Sequence, residues 1–161
     1  LADHYLQTGQ PPSAFRILEK LTDPKEHLKH TIALTAKCPT DYITTNKTSI
    51  QTLIDKIKKH PQLHKNPLVS LQCLSIALTL NSPTTPWINK AKKQLKNTPI
   101  TPEIKTLLPR ISATLITRNN TQDAIALVKP LTDKSYHIKT LILAEQHAAT
   151  KPTPLTSALP H

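Results

Sequence analysis

At 161 residues the chain has the length of one compact domain, and with Phe, Trp and Tyr at only 3% its core must be built from Leu, Ile and Ala. A single Gly excludes phosphate-cradling loops, dinucleotide turns and nucleophile elbows, which need glycine where the backbone takes positive φ or closely approaches a ligand. The formal charge of +11 reads in two ways: selection for an acidic partner, or a solvated surface filled with Lys by a gene poor in guanine, since Thr, Pro, Asn, Gln and His are also abundant.

Proline punctuates the chain. Pro12, Pro24, Pro67, Pro86 and Pro102 each precede an apolar-periodic segment, at the helical position where a missing N–H costs nothing. Asp23, Asn66, Thr85 and Thr101 stand as N-caps before four of them, and Asp23 with Glu26 has capping-box spacing. The first hairpin is expected from helices over 1–8 and 12–21, turning at Gly9-Gln10-Pro11. The second pairs 24–37 with 49–60 across a long loop from Pro39 to Lys47 that contains Tyr42. The third pairs 67–80 with 86–96. Leu68, Leu71, Leu74, Ile76, Leu78 and Leu80 fall on more than one face of its first helix, which is therefore buried from both sides. The fourth pairs 102–118 with 121–132; Pro109 should kink its first helix and Pro130 weaken the last turn of its second. A closing helix over 135–149 carries Tyr136, Ile138, Leu141, Ile142 and Ala144, and 150–161 reads as a disordered tail or linker.

The second helices share a pattern, Ala14-Ile17-Leu18-Leu21, Ile50-Leu53-Ile54-Ile57, Ile88-Ala91-Leu95 and Ala124-Leu127-Val128-Leu131, recurring at intervals of about 36 to 38 residues. Such a period is the mark of stacked helical hairpins, although helical period alone leaves a generic antiparallel bundle open.

Tyr5, Gly9, Ala14 and Leu18 are spaced as in the tetratricopeptide repeat, which the chain resembles over most of residues 1–132. A second match runs through Ile111, Ser112, Leu115, Asn119, Ala124, Val128 and Leu131, with Asn119 in the turn because Asn, like Gly, tolerates a left-handed backbone. The middle repeats match in period and apolar pattern only, with Ile50 and Ile88 where alanine is expected. The resemblance implies an all-α, right-handed solenoid of about four hairpins over 1–149, whose first helices line a concave groove for a partner's peptide or helix. One variety of the family clamps a C-terminal carboxylate with Lys and Asn. Pro109 and Ala113 stand at those positions here and Asp3 at the Asn position of the first repeat, so that clamp is not expected.

On this arrangement the groove exposes Asp3 and Gln7, Lys29 and His30, Gln72 and Thr79, and Arg110 and Thr117, a mixed surface suited to a polar rim around apolar anchors. Lys56, Lys58 and Lys59 on one second helix and Lys90, Lys92, Lys93 and Lys96 on the next would merge into a basic stripe, represented by Lys56, Lys59, Lys90 and Lys93. The stripe is either a solvated helix back or a polyanion site, although arginine forks and stacking aromatics are scarce, and Trp87 reads as a packing residue.

His60 and His64, four apart, are separated by Pro61, and His27 and His30 lack local co-ligands, so no metal site is expected. No catalytic or cofactor-binding residues are assigned, because the ten acidic residues are scattered and no nucleophile-base spacing stands out. Cys38 and Cys73 form no disulfide framework, and no apolar run reaches the length of a membrane span. With no Met in the chain, Leu1 is not expected to be a translation start, and upstream repeats are anticipated while localisation is unreadable. The expected function is non-enzymatic protein binding, as a scaffold, co-chaperone or assembly factor; the alternatives are a helical-repeat binder of RNA or another polyanion, and the regulatory arm of an enzyme.

Overall fold

Proline and its caps set the helix starts. The computed structural model describes residues 1–129 and 134–150, and among them every regular element is helical. In order these are α1 (Ala2–Gln7), α2 (Pro11–Leu18), α3 (Pro24–Lys37), α4 (Thr40–Thr45), α5 (Lys47–Lys59), a 3-10 turn (Leu63–Lys65), α6 (Pro67–Thr79), α7 (Thr85–Leu95), α8 (Pro102–Thr117), α9 (Thr121–Val128) and α10 (Lys134–Thr150). The Asp23 carboxylate accepts from the Lys25 and Glu26 amides at 2.8 and 3.4 Å, and Asn66 Oδ1 from Leu68 and Val69 at 3.0 and 3.3 Å. Thr101 Oγ1 accepts from Ile104 N–H at 3.3 Å. The fourth expected cap moves by one residue: α7 begins at Thr85 itself, with the Thr84 carbonyl accepting from Ile88 N–H at 2.9 Å.

Three helices end in the same hydrogen-bonded turn. After α1, Gln10 N–H donates to the Tyr5 carbonyl at 2.7 Å and Gly9 N–H to Leu6 at 3.1 Å. After α6 the pair is Ser82 to Ala77 at 2.9 Å and Asn81 to Leu78 at 3.3 Å, and after α8 it is Asn120 to Leu115 at 2.8 Å and Asn119 to Ile116 at 3.0 Å. These are Schellman ends, whose penultimate residue must be left-handed. Gly9, Asn81 and Asn119 take φ of 74°, 54° and 63°. Three turns of one design thus repeat along the chain, and Asn81 joins the two turn residues legible in the sequence.

The second segment departs from this pattern. At the end of α3, Cys38 is extended and leads into Pro39, so the chain does not double back at once but forms α4 inside the expected loop. Ile43 of α4 is buried, and the Tyr42 ring stacks on Phe15 with centroids 5.7 Å apart.

The helices group into two compact units, Leu1–Gln94 and Leu95–His161. In the first, α2 packs on α1, α3 touches both, and α3 in turn packs on α5 and α6. Ala14, fully buried, meets Leu18 and Leu34, with Ala2, Tyr5, Leu6 and Phe15 against them. Its small side chain lets α2 lie close to α1 and α3. On α6 nine residues from Val69 to Leu78 are buried, consistent with a helix enclosed on more than one side. Ile50 and Ile88 are buried where alanine had been expected, and Ala91 supplies the small buried residue on α7.

In the second unit α8 packs on α9, and α10 lies on both. Pro109 lies inside α8, leaving the Lys105 carbonyl without the amide donor that residue 109 would ordinarily supply. The α10 helix forms over the expected stretch, but among its described residues the one it buries is polar. Thr140 is buried at 3% exposure, whereas Ile138 at 57%, Leu141, Ile142 and Leu143 are exposed. Leu131, Pro130 and the tail expected over 150–161 lie outside the described residues, apart from Thr150 at the end of α10.

Candidate functional site

Two surfaces were expected, and the first unit contains most of both. The groove residues come from α1, α3 and α6, which adjoin in sequence order because α3 touches α1 and packs on α6. Asp3 and Gln7 of α1 and His30 of α3 are exposed, while Lys29 and Thr79 are half-buried. Gln72 is a correction: at 8% exposure it lies in the interior, because α6 is covered on several sides and has no solvent face at that position. Arg110 and Thr117 are exposed on α8 of the second unit.

Some groove side chains already have internal partners. Lys37 Nζ reaches Asp3 Oδ1 at 3.1 Å, tying α3 to α1, and His30 Nε2 lies 3.4 Å from Glu26 Oε2. Both pairs are substantially exposed, so each contributes at most about 1 kcal/mol to stability. Thr79 Oγ1 donates to the Ser75 carbonyl at 3.1 Å, and Thr117 Oγ1 to the Thr114 carbonyl at 2.7 Å. Gln7 is therefore among the groove residues with the greatest freedom to contact something outside the chain.

The basic surface is better organised than the sequence suggested. Trp87, near the start of α7, is 5% exposed and has ammonium groups from two helices over its ring: Lys58 Nζ of α5 at 5.6 Å and Lys90 Nζ of α7 at 5.4 Å from the centroid. The helical offset from Trp87 to Lys90, three residues, places the two on one face of α7. Lys58 comes from the last turn of α5, beside exposed Lys56 and Lys59. The indole thus joins the two groups of lysines, confirming Trp87 as a packing residue and adding Lys58 to the four that represented the stripe.

Burial and the neighbouring Lys58 charge hold the Lys90 ammonium below its ordinary pKa, offset in part by Cys73. Beneath the lysines, burial pushes the Cys73 thiol up to about 12, against the opposing pull of Lys90 and Lys58. Cys38, also buried, is pushed up to about 11 and donates to the Leu34 carbonyl at 3.4 Å. Both thiols are free, and neither has the lowered pKa of a nucleophile.

The two histidines around Pro61 have local tasks. His60 Nδ1 accepts from the amides of Gln62 and Leu63, both at 3.2 Å, so it caps the 3-10 turn, and His64 Nδ1 lies 2.7 Å from the His60 carbonyl. Gln94 Nε2 then donates to the His64 carbonyl at 3.1 Å, fastening α7 to that turn. Among the described residues, no group of three or more His, Cys, Asp or Glu is placed to hold a metal ion, and no helix is long and apolar enough to cross a membrane.

No family model matches the chain, and no curated protein or solved structure matches it.

Proposed function

We propose that this chain is a non-enzymatic protein-interaction module of tetratricopeptide type, which takes a partner's peptide or helix across its first helices. The observation that carries the reading is the repeated Schellman turn at Gly9, Asn81 and Asn119, each closing a first helix and returning the chain toward a second. Serial packing supports it: α3 lies on the α1–α2 pair, and in the other unit α10 lies on the α8–α9 pair. Stacks of this kind bury an apolar face of each hairpin against the next and leave the first helices side by side as a binding surface. Gln7 and His30 would contribute polar contacts from α1 and α3 of the first unit.

A photoreactive residue placed singly at Gln7 and at His30 tests this reading in the cell, with Lys47 as an exposed control. The expected result is a discrete covalent adduct with one protein from groove positions and none from residue 47. Adducts from the control position alone, or none anywhere, would overturn it.

A further inference from the structure

The arrangement around Trp87 stands in an unusual sequence context. From Lys56 to Pro102 the chain has no Asp or Glu in 47 residues, yet it has eight Lys. Seven of these lie in the first unit, on the end of α5, the 3-10 turn and α7, while α6 beneath them has no charged side chain. A solvated helix back ordinarily interleaves both signs of charge. Here the Lys58 and Lys90 ammoniums are drawn together over one buried indole, Lys90 half-buried; the one carboxylate on their two helices is Asp55, one turn before Lys58, whose Oδ1 accepts from Gln51 Nε2 at 3.5 Å.

We infer that Lys58 and Lys90 form a phosphate-binding pair held by Trp87, the centre of a surface that engages the phosphate backbone of nucleic acid without reading its sequence. Three features select this ligand. The lysines are point charges spread over the ends of two helices, matching a chain of phosphates better than one carboxylate. Arginine is absent between Arg16 and Arg110, so the forked contacts that read base edges are missing from this surface. Trp87 is too deeply buried to stack on a base, and serves to position the ammoniums. A phosphate between them relieves the mutual repulsion that the indole face offsets only in part. Burial, with a smaller push from the Lys58 charge, lowers the proton affinity of Lys90, and an anion bound beside it should raise it.

Trp87 is the chain's one tryptophan, so its emission reports directly on this site. The full chain is titrated with a uridine homo-oligonucleotide at low salt, with inorganic phosphate and polyglutamate in parallel. The expected result is a saturable change in Trp87 emission with the oligonucleotide. For about four phosphates contacted, the log-log salt slope should be about −3, falling in magnitude by about 1.4 in Lys58→Gln/Lys90→Gln. Cytidine and adenosine homo-oligomers should bind within a few-fold of uridine. Lys58→Gln alone, at an exposed position, should weaken binding at least about fivefold if it removes one phosphate contact, and decides the matter if the double variant does not fold. No emission change with the oligonucleotide, unchanged affinity in Lys58→Gln, polyglutamate binding as tightly as the nucleic acid, or inorganic phosphate saturating the site at comparable concentration would each overturn the inference.

Discussion

Replacing Gly9 by Ala isolates the backbone requirement on which the repeated turns rest. Gly9 has φ of 74°, and a Cβ built there meets no heavy atom within 4 Å, so the substitution introduces no clash and its cost lies in the conformation alone. A left-handed L-residue costs about 1–2 kcal/mol. Part of that is offset by about 0.4–1 kcal/mol from the stiffer unfolded chain. A net loss of about 1 kcal/mol remains, and with a urea m-value of about 2 kcal/mol/M it lowers the midpoint by about 0.5 M. Because Trp87 belongs to the same compact unit as Gly9, its fluorescence during urea unfolding reports that unit. Gly9→Asn should lose less than Gly9→Ala, since Asn tolerates the left-handed region, and Asn81→Ala should behave like Gly9→Ala in the same assay. Equal midpoints for wild type and Gly9→Ala, or equal losses for Ala and Asn, would refute the argument.

Three further outcomes follow from buried groups. Ala14→Leu should destabilise the first unit by about 1–3 kcal/mol, because Ala14 is fully buried against Leu18 and Leu34; an unchanged denaturation midpoint would mean that α2 has room there. Ser70→Ala and Ser112→Ala should be neutral or stabilising by about 1 kcal/mol, since both hydroxyls are buried without a hydrogen-bond partner, and a clear loss in thermal melting would show that they bond in solution. Alkali should weaken the fold through Cys38 and Cys73. Above pH 9.0 the unfolded thiols release protons that the folded ones keep to about 11 and about 12, so the unfolded state binds fewer protons and stability falls with rising pH. Lys90, lowered in the folded state, acts in the opposite sense just below 10.5. Replacing both cysteines by Ala should flatten the decline in urea midpoint between pH 9 and 11, and a decline of unchanged steepness would assign it elsewhere.

The elements most legible in the sequence are those with a physical start signal. The α3 helix runs from Pro24 to Lys37 as expected because Asp23 caps it and the extended Cys38-Pro39 segment cannot continue it. The α6 and α8 helices were legible for the same reason, with Asn66 and Thr101 as caps. The α4 helix was missed because Thr-Asp-Tyr-Ile-Thr-Thr has poor intrinsic helix preference; Ile43 and Tyr42 form it by packing inward, a tertiary effect invisible to local pattern. The polarity of Gln72 points outward, but the enclosure of α6 on more than one side buries it. On α10 Thr140 is buried while Ile138, Leu141, Ile142 and Leu143 stay exposed, so apolar chemistry alone does not mark the face that meets α8 and α9. At the basic surface the lysines were legible individually. Their convergence was not, because Lys58 and Lys90 meet at Trp87 only once α5 and α7 are brought together in space.

Methyl-to-methyl nuclear Overhauser measurements on protein labelled at Ala and Leu test most directly whether successive hairpins lean on one another. Leu34 of α3 should show cross-peaks to the methyls of Ala14 and Leu18, residues of the preceding pair that share its buried cluster. Leu34 cross-peaks confined to α3 itself and the helices after it, with none to Ala14 or Leu18, would contradict serial stacking and remove the foundation of the proposed binding surface.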